Sequence, residues 1–177
     1  VSPSNFKKMR ELFKKKSFFC FSPEVMIATF IVEFILAVYV YLRYKATRFV
    51  RISIFLLILL SLFQYAEYNV CGGSFMLPWS RFGFFVITII PIVGLELITT
   101  ITKRRHFMGP AYFLMAVFLV IFATLPVSVV QAVCKGNYIM FATGFVGASM
   151  IYIIYYFGFL FLGMWEIIEE LLDMKIS

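Results

Sequence analysis

Five long apolar runs, separated by short polar segments, limit how this chain can fold. The runs cover residues 22–42, 50–69, 80–101, 109–130 and 139–163. Each has roughly the 20 residues that a helix needs to cross a bilayer, and none alternates polar with apolar residues as a half-buried strand does. In lipid, only helices and closed barrels satisfy all backbone hydrogen bonds. The sequence therefore predicts an all-α, polytopic integral membrane bundle of about five transmembrane helices.

The composition of the chain supports a lipid environment. Of its 177 residues, 63% are hydrophobic and 14% are charged, whereas a soluble domain carries about 25% charged residues. The net charge is +7, yet the lysines and arginines lie in short runs beside the apolar segments, as they do at the flanks of membrane helices. We therefore expect the lipid bilayer as a partner and no binding of nucleic acid.

The two ends of the chain differ in charge and divide the sequence into three parts. Residues 1–21 form a basic amphipathic segment, residues 22–163 a five-helix transmembrane domain, and residues 164–177 an acidic amphipathic C-terminal extension. A basic amphipathic segment is typical of a helix that lies at the membrane surface. A solvated charged face is the alternative interpretation for both ends.

Five spans put the ends of the chain on opposite sides of the membrane, which we name side A, where the first helix begins, and side B. The 16 lysines and arginines divide evenly between the two sides, so their number does not give the orientation. Both loops on side B, residues 43–51 and 102–108, are short and basic, while the loops on side A are nearly uncharged. We expect these side-B loops to be cytoplasmic and the protein to lie in a prokaryotic cell membrane.

Four glutamates lie inside the apolar runs, where ionisable groups are costly and usually face a bundle interior or a wet cavity. Glu24 and Glu67 lie near side A, Glu33 near the middle of the first helix, and Glu96 towards side B. Carboxylates at staggered depths fit a path for protons or cations. Alternatively, Glu24 and Glu67 reach the membrane surface, and a protonated Glu33 bonds to a neighbouring helix. The predicted polar residues of the path are Glu33, Glu67, Glu24, Glu96, Gln64 and Pro91.

A second group of polar residues lies near side A. Gln64, Glu67 and Cys71 share one helix face because they are three and four residues apart. Cys20 precedes the first helix at the same level, and Cys134 lies in the other side-A loop. Three interpretations remain open: a disulfide between Cys71 and Cys134, a metal held by these cysteines with Glu67 or Cys20, and unpaired buried thiols. The spacing matches no zinc signature, so the sequence identifies neither a metal nor a cofactor.

Two further patterns concern the third and fifth helices. Pro91 and Gly94 predict a kink near the middle of the third helix, because proline cannot donate a backbone hydrogen bond, and a freed carbonyl there can face a cavity or a ligand. Gly144 and Ala148 favour a close helix contact in the fifth helix. A stripe of tyrosines on that helix is typical of packing and comprises Tyr152, Tyr155 and Tyr156.

Three short motifs are spread along the chain: CFSPE at 20–24, FQYAE at 63–67 and PIVGL at 91–95. They resemble the Cys-Phe-Ser-x-Glu, Phe-Gln-x-x-Glu and Pro-x-x-Gly-Leu elements of a loose group of uncharacterised prokaryotic polytopic membrane proteins. The resemblance implies a fold type and no activity. In that group, His often stands at the position of Glu96, and the chain continues into further helices. The residues of interest by this resemblance are Cys20, Glu24, Gln64, Glu67, Cys71, Arg81 and Pro91.

Three classes of function fit these observations. The first is a conduit or carrier for protons, cations or a small solute that uses the intramembrane carboxylates. The second is a membrane-embedded enzyme with a Glu and Cys site on side A, although the only histidine, His106, lies in a flank. The third is a non-catalytic sensor or assembly subunit whose acidic C-terminal helix docks a partner. Because five short helices enclose little interior, we also expect a homo-oligomer or a partner in a membrane complex.

Overall fold

The architecture is a bundle of five helices with one short β-hairpin. The structure, a computed structural model, describes residues 23–71, 76–103, 108–124, 131–135, 138–142 and 146–176. In chain order its elements are α1 (Pro23–Arg43), α2 (Arg48–Cys71), α3 (Met76–Thr102), α4 (Met108–Thr124), β1 (Gln131–Lys135), β2 (Tyr138–Ala142) and α5 (Val146–Ile176). The prediction of an all-α membrane bundle with five helices is confirmed.

Four of the five helices are long and apolar enough to cross a membrane. Their candidate spans are Glu24–Arg43, Arg48–Cys71, Leu77–Thr102 and Met150–Met174. The apolar α4 is shorter, with 17 residues, and its length is about 26 Å at the helical rise of 1.5 Å per residue. By the length and composition of its helices, the chain is an integral membrane protein with a lipid bilayer around it.

The central helix of the bundle is α3. It packs against α2 on one side and against α4 and α5 on the other, whereas α1 packs mainly against α2. In the apolar window of each span, 44% of α3 is buried, compared with 11% of α1 and 17% of α5. The outer helices therefore present apolar faces to their surroundings, as helices in contact with lipid do.

Two apolar clusters fill the two sides of α3. The cluster between α2 and α3 contains Ile52, Leu59, Val86 and Val93. The cluster that joins α3, α4 and α5 contains Phe84, Ile92, Leu95, Met108, Ala111, Phe118, Phe122 and Tyr155. Aromatic rings dominate this second cluster, and the ring centroids of Phe118 and Tyr155 lie 4.7 Å apart. These contacts hold the tyrosine stripe of α5 beside the middle of α3.

The structure differs from the sequence-based prediction at the start of the fifth helix. The apolar runs predict a fourth helix that continues to residue 130 and a fifth that begins at residue 139. Tyr138–Ala142 forms a strand and α5 begins at Val146, so the predicted start of the fifth helix is wrong, although the number of helices is correct. The described part of α4 ends at Thr124, and the predicted end at residue 130 lies outside the described residues.

The unexpected element between α4 and α5 is the β-hairpin. Strands β1 and β2 pair antiparallel, with Gln131 opposite Ala142 and Lys135 opposite Tyr138. Their sequences contain β-branched and aromatic residues, which favour strands, and the two residues between them are a Gly-Asn pair, a combination that favours tight hairpin turns. β1 contacts both α2 and α3. Because α4 runs from side B towards side A and α5 begins on side A, the hairpin between them lies at that side of the bundle.

At the C-terminal end of the chain, α5 is one uninterrupted helix that includes the acidic residues. The division of this helix at residue 163 into a transmembrane part and an amphipathic extension stays a prediction. The basic segment 1–21 lies outside the described residues. The predicted contact of Gly144 and Ala148 also lies outside the side chains that the structure describes.

Gly163 lets α5 approach α3 closely. A Cβ atom at Gly163 would lie 2.8 Å from Cδ1 of Ile98, whereas a Cβ at Gly158 on the same helix would have no heavy atom within 4 Å. We expect Gly163→Val to lower the free energy of unfolding by about 1 kcal/mol, because the end of the Ile98 side chain has to move, and Gly158→Val to change it by less than about 0.5 kcal/mol. Thermal unfolding of both variants in one detergent measures the difference, and equal effects would contradict the close approach.

Candidate functional site

Glu67 is a buried carboxyl near the side-A end of α2. Its side chain is 5% exposed, and its Oε2 atom is buried without a hydrogen-bond partner among the described residues. Gln64, one helical turn earlier on the same face, is half-buried. Both residues therefore lie at the end of the bundle where β1 contacts α2 and α3.

Glu33 lies on the stripe of α1 that faces α2. The same stripe contains Met26, Phe30 and Ala37, and the spacing of four, three and four residues places all four side chains on one helix face. Met26 is 1% exposed and Ala37 is 2% exposed, so this is the packed face of α1. The Oε2 atom of Glu33 is buried and has no hydrogen-bond partner within the described part of the chain.

An aromatic contact sets the level of Glu33 in the membrane. The rings of Phe30 on α1 and Tyr65 on α2 have centroids 5.4 Å apart. Because a short connection joins these two helices, they run antiparallel, and this contact puts Glu33 at about the level of Ser61. Glu33 therefore lies at the middle of α1 and near the level of the middle of α2, far from either membrane surface.

Glu24 differs from the other intramembrane glutamates because it is exposed. It lies in the first turn of α1, where a negative charge interacts favourably with the helix dipole. Glu24 belongs to no interior cluster of described residues. It is therefore a reference carboxyl for experiments on the buried ones.

Glu96 joins three helices at the side-B end of the bundle. Its Oε1 atom accepts a hydrogen bond from Nη2 of Arg48 on α2 at 2.9 Å, and its Oε2 atom accepts one from the hydroxyl of Tyr112 on α4 at 2.5 Å. Beside these groups is a cavity of about 70 Å³, which Thr99 and Met108 also line. A cavity of this size has room for water.

The interaction of Glu96 with Arg48 and Tyr112 was not predicted from the sequence. The sequence does indicate Arg48 as a possible partner. This basic residue lies at the side-B end of one helix, and the acidic Glu96 lies near the side-B end of another. No comparable signal exists for Tyr112, because the chain has 10 tyrosines and the register between helices decides which of them meets a carboxylate.

Pro91 interrupts the hydrogen bonding of α3, and α5 provides a donor beside it. Proline lacks the N–H group that would bond to the carbonyl of Ile87, four residues earlier. The next carbonyl, that of Thr88, accepts a hydrogen bond from the hydroxyl of Tyr155 at 2.7 Å. The Thr88 hydroxyl also lies 3.2 Å from the hydroxyl of Tyr152. The tyrosine stripe thus packs against α3 and bonds to it at the position of the proline.

The predicted path residues do not form one compact site. The contacts that fix the register of α1, α2 and α3 place Glu67 about 8 Å from Glu33 along the membrane normal, at 1.5 Å per residue. By the same rise, Glu96 lies about 20 Å from Glu33 in the opposite direction. Pro91 lies between the levels of Glu33 and Glu96. The carboxyls thus occupy separate depths from side A to side B.

The structure describes only part of the cysteine group and of the predicted metal site. Cys71, the last residue of α2, is in a disulfide. The structure does not describe the side chains of Cys20 and Cys134, so the pairing of Cys71 with Cys134 stays a prediction. Among the described residues, no group of three His, Cys, Asp or Glu side chains is arranged to hold a metal ion. A metal site that uses Cys20 or Cys134 stays a prediction.

Comparison of the chain with protein-family models, with curated proteins and with solved structures gave no match. The resemblance to uncharacterised prokaryotic membrane proteins therefore stays a prediction.

The hydrogen bond from Tyr155 to α3 has a measurable contribution to stability. We expect Tyr155→Phe to lower the free energy of unfolding by about 1 kcal/mol, because the carbonyl of Thr88 loses its donor from α5. Tyr156→Phe is the matched control, since Tyr156 packs against the same cluster, and we expect a change below about 0.5 kcal/mol. Chemical unfolding in mixed micelles measures both values. A loss in the control as large as that in Tyr155→Phe would attribute the effect to packing.

Proposed function

We propose that the protein is a small membrane conduit or carrier for protons, cations or a small solute, and that Glu67 and Glu33 bind the transported species. One observation supports this proposal above the others. Each of these two glutamates, in the apolar helices α2 and α1, has a buried carboxyl oxygen without a hydrogen-bond partner among the described residues. In Glu96, by contrast, both oxygens are hydrogen-bonded.

The contrast matters because of the cost of an unpaired carboxyl in lipid. A buried polar group without a partner costs about 1–3 kcal/mol, and a charge at the centre of a membrane helix costs more. A carboxyl that only joins helices is expected to be hydrogen-bonded on both oxygens, as Glu96 is. A carboxyl that takes up and releases an ion has to keep an oxygen free for that ion. Glu67 and Glu33 have the second arrangement.

The cavity beside Glu96 is the proposed end of the path on side B, and Glu96 itself joins α2, α3 and α4 there. This cavity has room for water. The side chains of Arg48 and Glu96 are 47% and 22% exposed, so the cavity lies close to the aqueous phase. Pro91 and Gly94 supply the proposed bend of α3 between Glu96 and the two buried carboxyls.

The alternative functions have less support. A subunit that docks a partner through the acidic stripe of α5 needs acidic groups that are free for the partner. Instead, each acidic residue of the stripe already has an interaction within the protein, including a hydrogen bond from Trp165 Nε1 to Glu169 Oε1 at 2.7 Å. These residues are Glu166, Glu169, Glu170 and Asp173. No contact of the described residues favours an enzyme.

For the orientation, we propose that side A faces an oxidising compartment and that loops 43–51 and 102–108 are cytoplasmic, in a prokaryotic cell membrane. The disulfide of Cys71 at the side-A end of α2 supports this, because disulfides persist in oxidising surroundings. We propose Cys134 as its partner, since β1 carries Cys134 and contacts α2. Assembly into a homo-oligomer or a membrane complex stays a prediction.

Peptide mapping of the non-reduced protein tests the disulfide. We expect one linked peptide pair that joins Cys71 to Cys134. In Cys134→Ser, Cys71 is expected to become reactive to a maleimide, because its partner is removed, while in Cys20→Ser it is expected to stay bonded. A linked pair that joins Cys71 to Cys20 would disprove the proposed pairing.

Flux in proteoliposomes tests the transport function. We expect the wild type to carry proton or cation flux, and Glu67→Gln and Glu33→Gln each to reduce that flux at least about tenfold, because glutamine keeps the shape of glutamate and cannot ionise. Glu24→Gln is the matched control, since Glu24 is exposed, and it is expected to retain full flux. Folding of each variant is checked by its thermal transition. Wild-type protein that is folded and carries no flux would contradict the proposal.

A further inference from the structure

The surroundings of Glu33 restrict which ion this residue can bind. The main neighbour of α1 is α2, and the structure describes both helices above and below the level of Glu33. The α2 side chains with an oxygen within three residues of that level are Ser61 and the half-buried Gln64. Ser61 is 1% exposed, and its hydroxyl donates to the carbonyl of Ile58 at 2.9 Å. The side-chain oxygens on these two helices near that level are therefore those of one carboxyl, one hydroxyl and one amide.

Such a site has too few ligands for a metal cation. Calcium takes 6–8 oxygen ligands, and magnesium requires a near-ideal octahedron. A monovalent cation in a membrane must likewise exchange its hydration shell for a set of protein oxygens. A proton forms a single O–H bond and needs only one acceptor. The carboxyl of Glu33 meets that requirement alone.

The charges around Glu33 also favour the proton. No lysine or arginine occurs in residues 24–42, which belong to α1. None occurs in residues 52–80, which run from α2 to the start of α3. The titratable groups that α2 presents nearest to this level are Tyr65, Glu67 and Tyr68, all closer to side A and none of them a cation. The ionised form of Glu33 therefore has no counter-charge on these helices, and the protonated form needs none.

From these observations we propose that the transported ion is the proton and that Glu33 carries it in the middle of the membrane as a neutral carboxylic acid. This inference rests on the proposed function. In the step, one carboxylate oxygen of Glu33 forms an O–H bond with a proton that arrives from one side. The bond breaks when the proton leaves towards the other side, and nothing is oxidised or reduced. The anion that remains has no counter-charge on residues 24–42 of α1 or on residues 52–71 of α2, so uptake of the next proton is favourable.

Infrared difference spectroscopy of the protein in liposomes tests the assignment without measuring flux. Spectra recorded at acid and alkaline pH differ by the C=O stretch of each carboxyl that changes its protonation. We expect a band of a carboxylic acid in an apolar setting that disappears in Glu33→Gln and remains in Glu24→Gln. Glu33→Asp is expected to keep the band at a shifted position, and it identifies the residue even where Glu33→Gln does not fold. Addition of Na⁺, K⁺, Mg²⁺ or Ca²⁺ at constant pH is expected to leave the band unchanged.

The outcomes separate this inference from the proposed function. If one of the cations removes the band of Glu33, this residue exchanges its proton for that metal, and the proton assignment is wrong while a cation carrier remains. If the band persists in Glu33→Gln and is not shifted in Glu33→Asp, it belongs to another carboxyl, and the assignment to Glu33 is wrong. Folded protein that carries neither protons nor cations in proteoliposomes disproves the proposed function itself, whatever the spectra show.

Discussion

Packing against α3 holds the described helices together. Lipid is as apolar as a leucine side chain, so membrane helices associate through close packing and hydrogen bonds rather than through the hydrophobic effect. α3 provides both: it packs against α2 through aliphatic side chains and against α4 and α5 through aromatic rings. Pro91 is tolerated at its centre because neighbouring helices surround it and Tyr155 bonds to the adjacent carbonyl. Without α3, α4 and α5 lose their main packing partner, and α2 keeps its contacts with α1.

The polar side chains that join helices differ from Glu33 and Glu67. Those that join helices are hydrogen-bonded, as Thr88 is to Tyr155 and Glu96 is to Arg48 and Tyr112. Glu33 and Glu67 do not follow this pattern, since each leaves a buried oxygen without a partner among the described residues. Natural sequences satisfy buried polar groups almost everywhere, so the exceptions require an explanation. Ion binding is an explanation that gives the free oxygen a role.

The sequence predicts the helices well and the contacts between them poorly. Long apolar runs without alternation identify all five helices, and the intramembrane glutamates mark the polar positions. The hairpin was missed because the strands QAVCK and YIMFA consist mostly of apolar residues, as a membrane helix does. The partners of Glu96 were missed because three separate helices supply them. Which residues of different helices meet depends on packing, and packing is not periodic in the sequence.

The position of α1, which has α2 as its main neighbour, bears on how the protein is made. The first two helices can pair as soon as the ribosome has delivered both to the bilayer, before α3 has been synthesised, because independently stable helices associate after insertion. α4 and α5 pack against α3 and against each other, so their cluster forms only after all three helices have been synthesised. The pairing of α1 with α2 therefore encloses Glu33 early in biogenesis, and the nascent chain shields this costly carboxyl from lipid while the rest of the bundle is still missing.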